Sequence, residues 1–224
     1  MKILALETST QYCSVALWLD GEVRFDGCHA EQRHSQLMLP MIDALLAQSG
    51  IKLAEFDAVA FGEGPGSFTG LRIACGVAQG LALGAGLPVI GIGTLLAIAQ
   101  ASQATQALCC LDARMGEIYA AAYRRAEHEW ETVFEPGLFS PATLPRLPAG
   151  DWVGCGSGFA VYADALRERY VTRVVDIKAD LLPHAREIAT LAVAELARGG
   201  AKPPEEALPL YIRDKVALTI EEQR

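Results

Sequence analysis

Three stretches of this 224-residue chain hold residue types that could do chemistry. Glu7-Thr8-Ser9 ends an apolar run, Ile3-Leu4-Ala5-Leu6, and sets a carboxylate and two hydroxyls at a turn. With the turn's N–H groups these are the parts of an anion or nucleotide contact. They are equally the parts of an ordinary hairpin turn, and both readings stand. Gly64-Pro65-Gly66-Ser67 follows the apolar residues 58–61 and opens a long helix with almost no charge. Glycine permits φ > 0 there, proline stiffens the turn and Ser67 caps the helix. The Gly-Lys-Ser/Thr of a P-loop is missing, so no lysine reaches a β/γ-phosphate. Gly154-Cys155-Gly156-Ser157-Gly158 also lies between a strand and a helix. It matches neither a nucleophile elbow in register nor a full dinucleotide fingerprint, and reads as a tight turn.

Other constellations are thin. His29 and His34 stand five apart around a loop with no third metal ligand evident. Cys155 and His184 form a nucleophile pair only by counting. The six cysteines (13, 28, 75, 109, 110, 155) include no C-x-x-C and fall mostly in predicted strands and helices, as reduced thiols of a cytosolic protein do. An inventory without an acid/base pair, metal cluster or nucleophile favours binding over catalysis.

Hydrophobic residues make up 51% of the chain, enough for a core. The net charge of −8, with 19 Lys and Arg scattered among 27 acids, argues against holding a nucleic acid unaided. Glycines, Arg72, Gln79 and Pro88 break the apolar stretch 71–101, which predicts no membrane span and no membrane partner.

The elements that must carry these residues follow from periodicity. Strands are predicted at 2–7, 12–19, 22–29, 57–62 and 88–92, with helices at 35–48, 67–84 and 94–103. Asp20-Gly21 marks a hairpin. The second half begins likewise, with strands at 107–112, 117–125 and 129–135 and a Pro-rich connector from Pro136. Strand 151–155, helix 159–169, strand 172–176 and helix 184–198 follow. The plan is a duplicated α/β one, β-β-β-α-β-α with mixed sheets, the second copy eroded. It divides into lobes 1–104 and 105–224, with a tail, 203–224, that packs back on the first lobe and buries Leu210 and Tyr211.

Two helices hold more apolar surface than one contact uses. On helix 35–48 apolar residues cover an arc of roughly 200°, where a packed face needs little more than 100°. Helix 67–84 is predicted to turn Ile73, Ala74, Val77, Ala78 and Leu81 inward. Gly76, Gly80 and Gly84 form a stripe along its flank, each glycine costing about 1 kcal/mol against alanine. Close approach of another backbone accounts for that cost. The candidate interface is Leu37, Met38, Met41, Leu45, Arg72, Cys75, Gly76, Gln79, Gly80 and Leu83. Cover by the second lobe or the tail is the alternative.

Residues 3–9, Arg33-His34-Ser35-Gln36-Leu37-Met38-Leu39-Pro40, Gly64-Pro65-Gly66-Ser67-Phe68-Thr69-Gly70-Leu71-Arg72 and Pro209-Leu210-Tyr211-Ile212-Arg213 resemble, in order and spacing, the TsaB (YeaZ) family. That resemblance implies the two-lobed fold of actin, sugar kinases and heat-shock ATPases. It implies a paralogue of TsaD, the subunit that puts a threonylcarbamoyl group on N6 of the adenosine next to the tRNA anticodon. TsaD-like proteins carry a His-x-x-x-His metal pair whose positions fall here on Thr94 and Ile98, which implies a lost metal site and no catalysis. The implied role is a scaffold that binds a TsaD-like subunit through its first-lobe helices, with a TsaE-like ATPase joining the assembly. Homodimerisation through the same helices, indirect contact with tRNA, and ATP or ADP only within the complex complete the implication. A nucleotide-dependent phosphotransferase on the same fold, using Glu7, Thr8 and Ser9, is the rival reading. A self-sufficient homodimer is another.

Overall fold

A computed structural model describes residues 1–127 and 129–213. The first sheet has the order β3-β2-β1-β4-β5, built from β1 (Lys2–Glu7), β2 (Tyr12–Leu19), β3 (Glu22–His29), β4 (Ala58–Gly64) and β5 (Val89–Gly93). β1 to β3 pair antiparallel, while β4 and β5 run parallel to β1. Asp20 and Gly21, between β2 and β3, both take φ > 0, as a two-residue hairpin with matching twist requires. β1 is apolar from Ile3 to Leu6 because both of its faces are covered. Leu4 and Leu6 point to α1 (His34–Ser49) and α2 (Phe68–Ala85); Ile3 and Ala5 point to the opposite layer.

The second sheet repeats the plan in the order β10-β9-β6-β7-β8. Its strands are β6 (Gln106–Arg114), β7 (Glu117–Ala126), β8 (Glu129–Phe139), β9 (Trp152–Cys155) and β10 (Val174–Lys178). α3 (Thr94–Ser102) joins the lobes, burying Leu95, Ile98 and Ala99 against Cys109, Tyr123 and Cys155. Erosion of the second copy is visible in its helix. The helix expected over 159–169 breaks at Tyr162 into α4 (Gly158–Val161) and α5 (Ala163–Arg169), where Tyr162 leaves helical geometry with φ −118° and ψ 35°.

Four further expectations change. β8 runs through Pro136 to Phe139; it is an edge strand with a bulge there, so the missing N–H breaks no inner ladder bond. The last helix, α6 (Ala185–Ala197), does not stay with the second half of the chain: Ala185, Ile188, Ala189 and Ala192 pack on Ile3, Ala5 and Ile90 of the first sheet. α2 is rotated from its predicted orientation, burying Leu71, Ala74, Cys75, Ala78 and Ala82 and leaving Ile73, Val77 and Leu81 half-buried. α2 also has, at 18 residues and mean hydropathy 1.2, the length and composition of a membrane span, contrary to expectation. A third of it is buried, packed against β4 and α1.

Candidate partner interface and inter-lobe cleft

α1 lies across the first sheet and buries a stripe at i, i+3, i+4 and i+7: Met38, Met41, Ile42 and Leu45. Cys75 of α2 is buried in the same core. Met38, Met41, Leu45 and Cys75 are therefore core residues, which corrects their place in the predicted interface. A count of apolar arc could not say which part of it faced the sheet. Leu37 is half-buried on that core. Arg72 and Gln79 are engaged by the chain's own tail, described below.

Gly76, Gly80 and Gly84 are open: a Cβ at any of them would meet no described atom within 4 Å. Leu83 beside them is 69% exposed. On α1, Leu39 is 50% exposed, and Pro40, Ala44 and Ala47 share the outer side. The sequence reading missed these α1 residues, although Pro40, Ala44 and Ala47 follow helical i, i+4, i+7 spacing. Each of the two helices thus leaves small and apolar side chains exposed.

Glu7, Thr8 and Ser9 are buried, although Glu7 Oε2 and Ser9 Oγ have no hydrogen-bond partner among the described residues. Thr8 Oγ1 donates to the Gly70 carbonyl at 2.7 Å, Ser67 N–H donates to the Ser9 carbonyl at 2.7 Å, and Ser9 N–H donates to Glu7 Oε1. A Cβ at Gly66 would stand 2.6 Å from the Ser9 carbonyl oxygen; one at Gly62 would land on the Glu7 carboxylate, and one at Gly70 on the Thr8 carbonyl. The glycine turn thus docks on the β1–β2 turn. Thr8 is thereby committed to holding the two turns together and Glu7 to its own turn, which corrects the anion-contact reading for those two; Ser9 lies on the cleft described below. Burial pushes the Glu7 carboxyl up to about 7, against the opposing hydrogen bonds from Ser9 and Thr8.

The second lobe repeats this docking. Gly156, at φ 91°, lies with its Cβ position 2.6 Å from the Cys110 carbonyl oxygen, and Gly158 sits against Cys110 likewise. Ser157 Oγ accepts from Asp112 N–H at 3.1 Å. The 154–158 turn is structural, as predicted. Cys155 lies in the second-lobe core. His184 instead packs edge-on to Tyr12 and Phe25 of the first lobe, so the two form no nucleophile pair. Burial, with Arg186 nearby, pushes His184 down to about 4. His34 Nε2 is 2.9 Å from the Thr10 carbonyl oxygen, and His29 stacks edge-on to Tyr12. Among the described residues no group of three or more His, Cys, Asp or Glu could hold a metal. Thr94 and Ile98 occupy the first two turns of α3, both fully buried.

Between the lobes lies a cleft of about 790 Å³. Ser9, Thr10, His34 and Phe68 line it from one lobe, and Asp112, Arg114 and Ser157 from the other. Residues 202–213 close one side. They begin at a two-way backbone bridge between Lys202 and Val89 and run along the flank of α2. Gln79 Nε2 donates to the Pro204 carbonyl at 3.0 Å, and Cys75 Sγ to the Ala207 carbonyl at 3.4 Å. Leu210 N–H donates to the Glu63 carbonyl at 2.7 Å. Arg72 donates to Tyr211 Oη at 2.8 Å with its guanidinium 3.4 Å over the Phe68 ring. Finally Arg213 crosses to the second lobe and pairs with Glu117 at 2.5 Å. Leu210 and Tyr211 are 39% and 45% exposed rather than buried, since polar contacts seat this segment. The remainder of the expected tail, 214–224, lies outside the described residues.

Comparison with known proteins follows from this geometry. Residues 28–220 match the family model described as TsaD, tRNA N6-adenosine threonylcarbamoyltransferase. The "tRNA threonylcarbamoyladenosine biosynthesis protein TsaB" of Escherichia coli is 43% identical over 230 residues, covering 97% of this chain and 96% of that protein. Its namesake in Haemophilus influenzae is 38% identical, covering 96% and 95%. The solved structure of YeaZ from Pseudomonas aeruginosa superposes with a TM-score of 0.87 at 38% identity, covering 94% of this chain and 99% of that one.

Proposed function

This chain belongs to the TsaB (YeaZ) family, and we propose that it serves tRNA threonylcarbamoyladenosine biosynthesis as a non-catalytic scaffold. It offers the outer face of α1 and α2 to a TsaD-like catalytic subunit. One observation carries this reading: Gly76, Gly80 and Gly84 stand along α2 with no described residue of the chain in the space they leave. Each forgoes about 1 kcal/mol of helix stability. A second helix approaching closely turns that loss into contact area, and Leu83 and Leu39 flank the approach.

The same face supports self-pairing across a two-fold axis, in competition with the partner. Thr94 and Ile98, where TsaD-like proteins carry histidines, support absence of a metal and of independent catalysis: an isoleucine has no donor atom. The acidic charge of −8 fits a subunit that leaves tRNA, and the nucleotide of a TsaE-like ATPase, to its partners.

Light-scattering mass across size exclusion, on this chain alone and with a TsaD-like subunit, tests the reading. A homodimer that exchanges into a heteromer is the expected result. Gly76→Arg or Leu83→Glu abolishes the association while leaving the circular dichroism spectrum intact. Unchanged association of both folded variants sinks the proposed face.

A further inference from the structure

We infer that residues 202–213 form a clasp linking closure of the inter-lobe cleft to the partner-facing surface of α2. This rests on the α1/α2 reading above. The segment touches α2 at Arg72, Cys75 and Gln79, one flank away from the open glycine stripe. Its other end reaches the second lobe through Arg213 and Glu117, at the β6–β7 hairpin. Leu210 to Arg213 form a wall of the cleft between these two anchors. One short stretch of chain therefore contacts the partner helix, the cleft and the opposite lobe.

The manner of its seating matters as much as the position. Leu208 is largely exposed and only Ala207 is buried, so little apolar area holds the segment. A few hydrogen bonds and one ion pair do so instead. Segments held this way open locally at far lower free energy than the core. When seated, the clasp sets Tyr211 beside Phe68 and holds Arg72 over the Phe68 ring through the Tyr211 hydroxyl, which ties down the start of α2. It also sets Leu210 on the cleft wall beside Phe68. Seated and released states thus present different surfaces to a partner on α2. By linkage, a partner that prefers the seated state stabilises closure of the cleft in return.

Glu117→Ala tests this from the second lobe, remote from the glycine stripe; Arg213→Ala removes the same pair from the clasp side. Hydrogen–deuterium exchange is followed at 203–213 and at the 114–117 hairpin, with and without the TsaD-like subunit, beside calorimetric affinity. Both variants, melting within a few degrees of wild type, exchange at least tenfold faster at Leu210. Both bind the partner about fivefold or more weakly, the lower end of ordinary allosteric couplings. In wild type the bound partner slows exchange at the hairpin. Faster clasp exchange with affinity unchanged within twofold overturns the coupling, as does a variant whose clasp exchange does not rise. Failure of wild type itself to bind the partner overturns the α1/α2 reading instead.

Discussion

Replacing Glu7 by glutamine isolates the cost of one buried charge. The carboxyl lies wholly inside the first lobe, with Ser9 N–H on Oε1 and no hydrogen-bond partner for Oε2 among the described residues. Burial carries its pKa from 4.5 to about 7. The folded chain therefore holds this proton more tightly than the unfolded chain does. The group's contribution to stability is complete below about pH 4.5, falls as pH rises toward 7, and levels off above it. At ~1.4 kcal/mol per pKa unit, the fall amounts to about 3 kcal/mol. Glutamine cannot ionise and keeps an acceptor for Ser9 N–H. Urea unfolding of both chains at intervals from pH 5 to 8.5 reads the effect. Part of the fall is complete by pH 5, so the stability of Glu7→Gln relative to wild type should climb by about 2.5 kcal/mol over that range, roughly 5–10 °C in Tm for a chain of this size. His184, pushed down to about 4, acts in the opposite sense: its contribution is lost as pH falls from 6.5 toward 4. It is common to both chains and cancels in the difference. A gap that stays constant from pH 5 to 8.5 would refute the argument that burial, rather than shape, governs this site.

Two further substitutions separate the internal from the external glycines. Gly80→Ala meets no described atom within 4 Å, so it should stabilise the isolated chain by up to about 1 kcal/mol while weakening association with the partner; thermal melts and light scattering on the same preparation show whether the two effects part. Gly66→Ala forces a methyl to 2.6 Å from the Ser9 carbonyl oxygen and should cost about 1–3 kcal/mol by urea unfolding; an unchanged midpoint would show that the two turns separate freely.

Most of the architecture was legible because its signals are local. Short apolar runs bounded by turn residues set the strands, Asp20-Gly21 set the first hairpin, and Gly64 to Ser67 set the entry to α2. What escaped depends on distant partners. The rotation of α2 comes from hydrogen bonds to residues more than 120 positions away, at Pro204, Ala207 and Tyr211. Met38, Met41 and Leu45 were misplaced because hydrophobicity marks what is buried without saying against which neighbour. Thr8 was misread because a hydroxyl that binds an anion and one that binds a facing carbonyl look alike until the facing turn is seen. Tyr162 breaks its helix where its hydroxyl reaches Asp112 across the second lobe, a contact no local pattern announces.

The open glycines of α2 bear on how many copies of the chain a cell can keep. Gly76 and Gly80, in the helix interior, together withhold about 2 kcal/mol from the lone subunit, a sizeable share of an ordinary domain's margin. A bound partner restores it by mass action. On the proposed reading, copies bound neither to the partner nor to one another would unfold more often and meet proteases sooner. Turnover of that unpaired fraction would then trim the chain toward the number its binding faces can match.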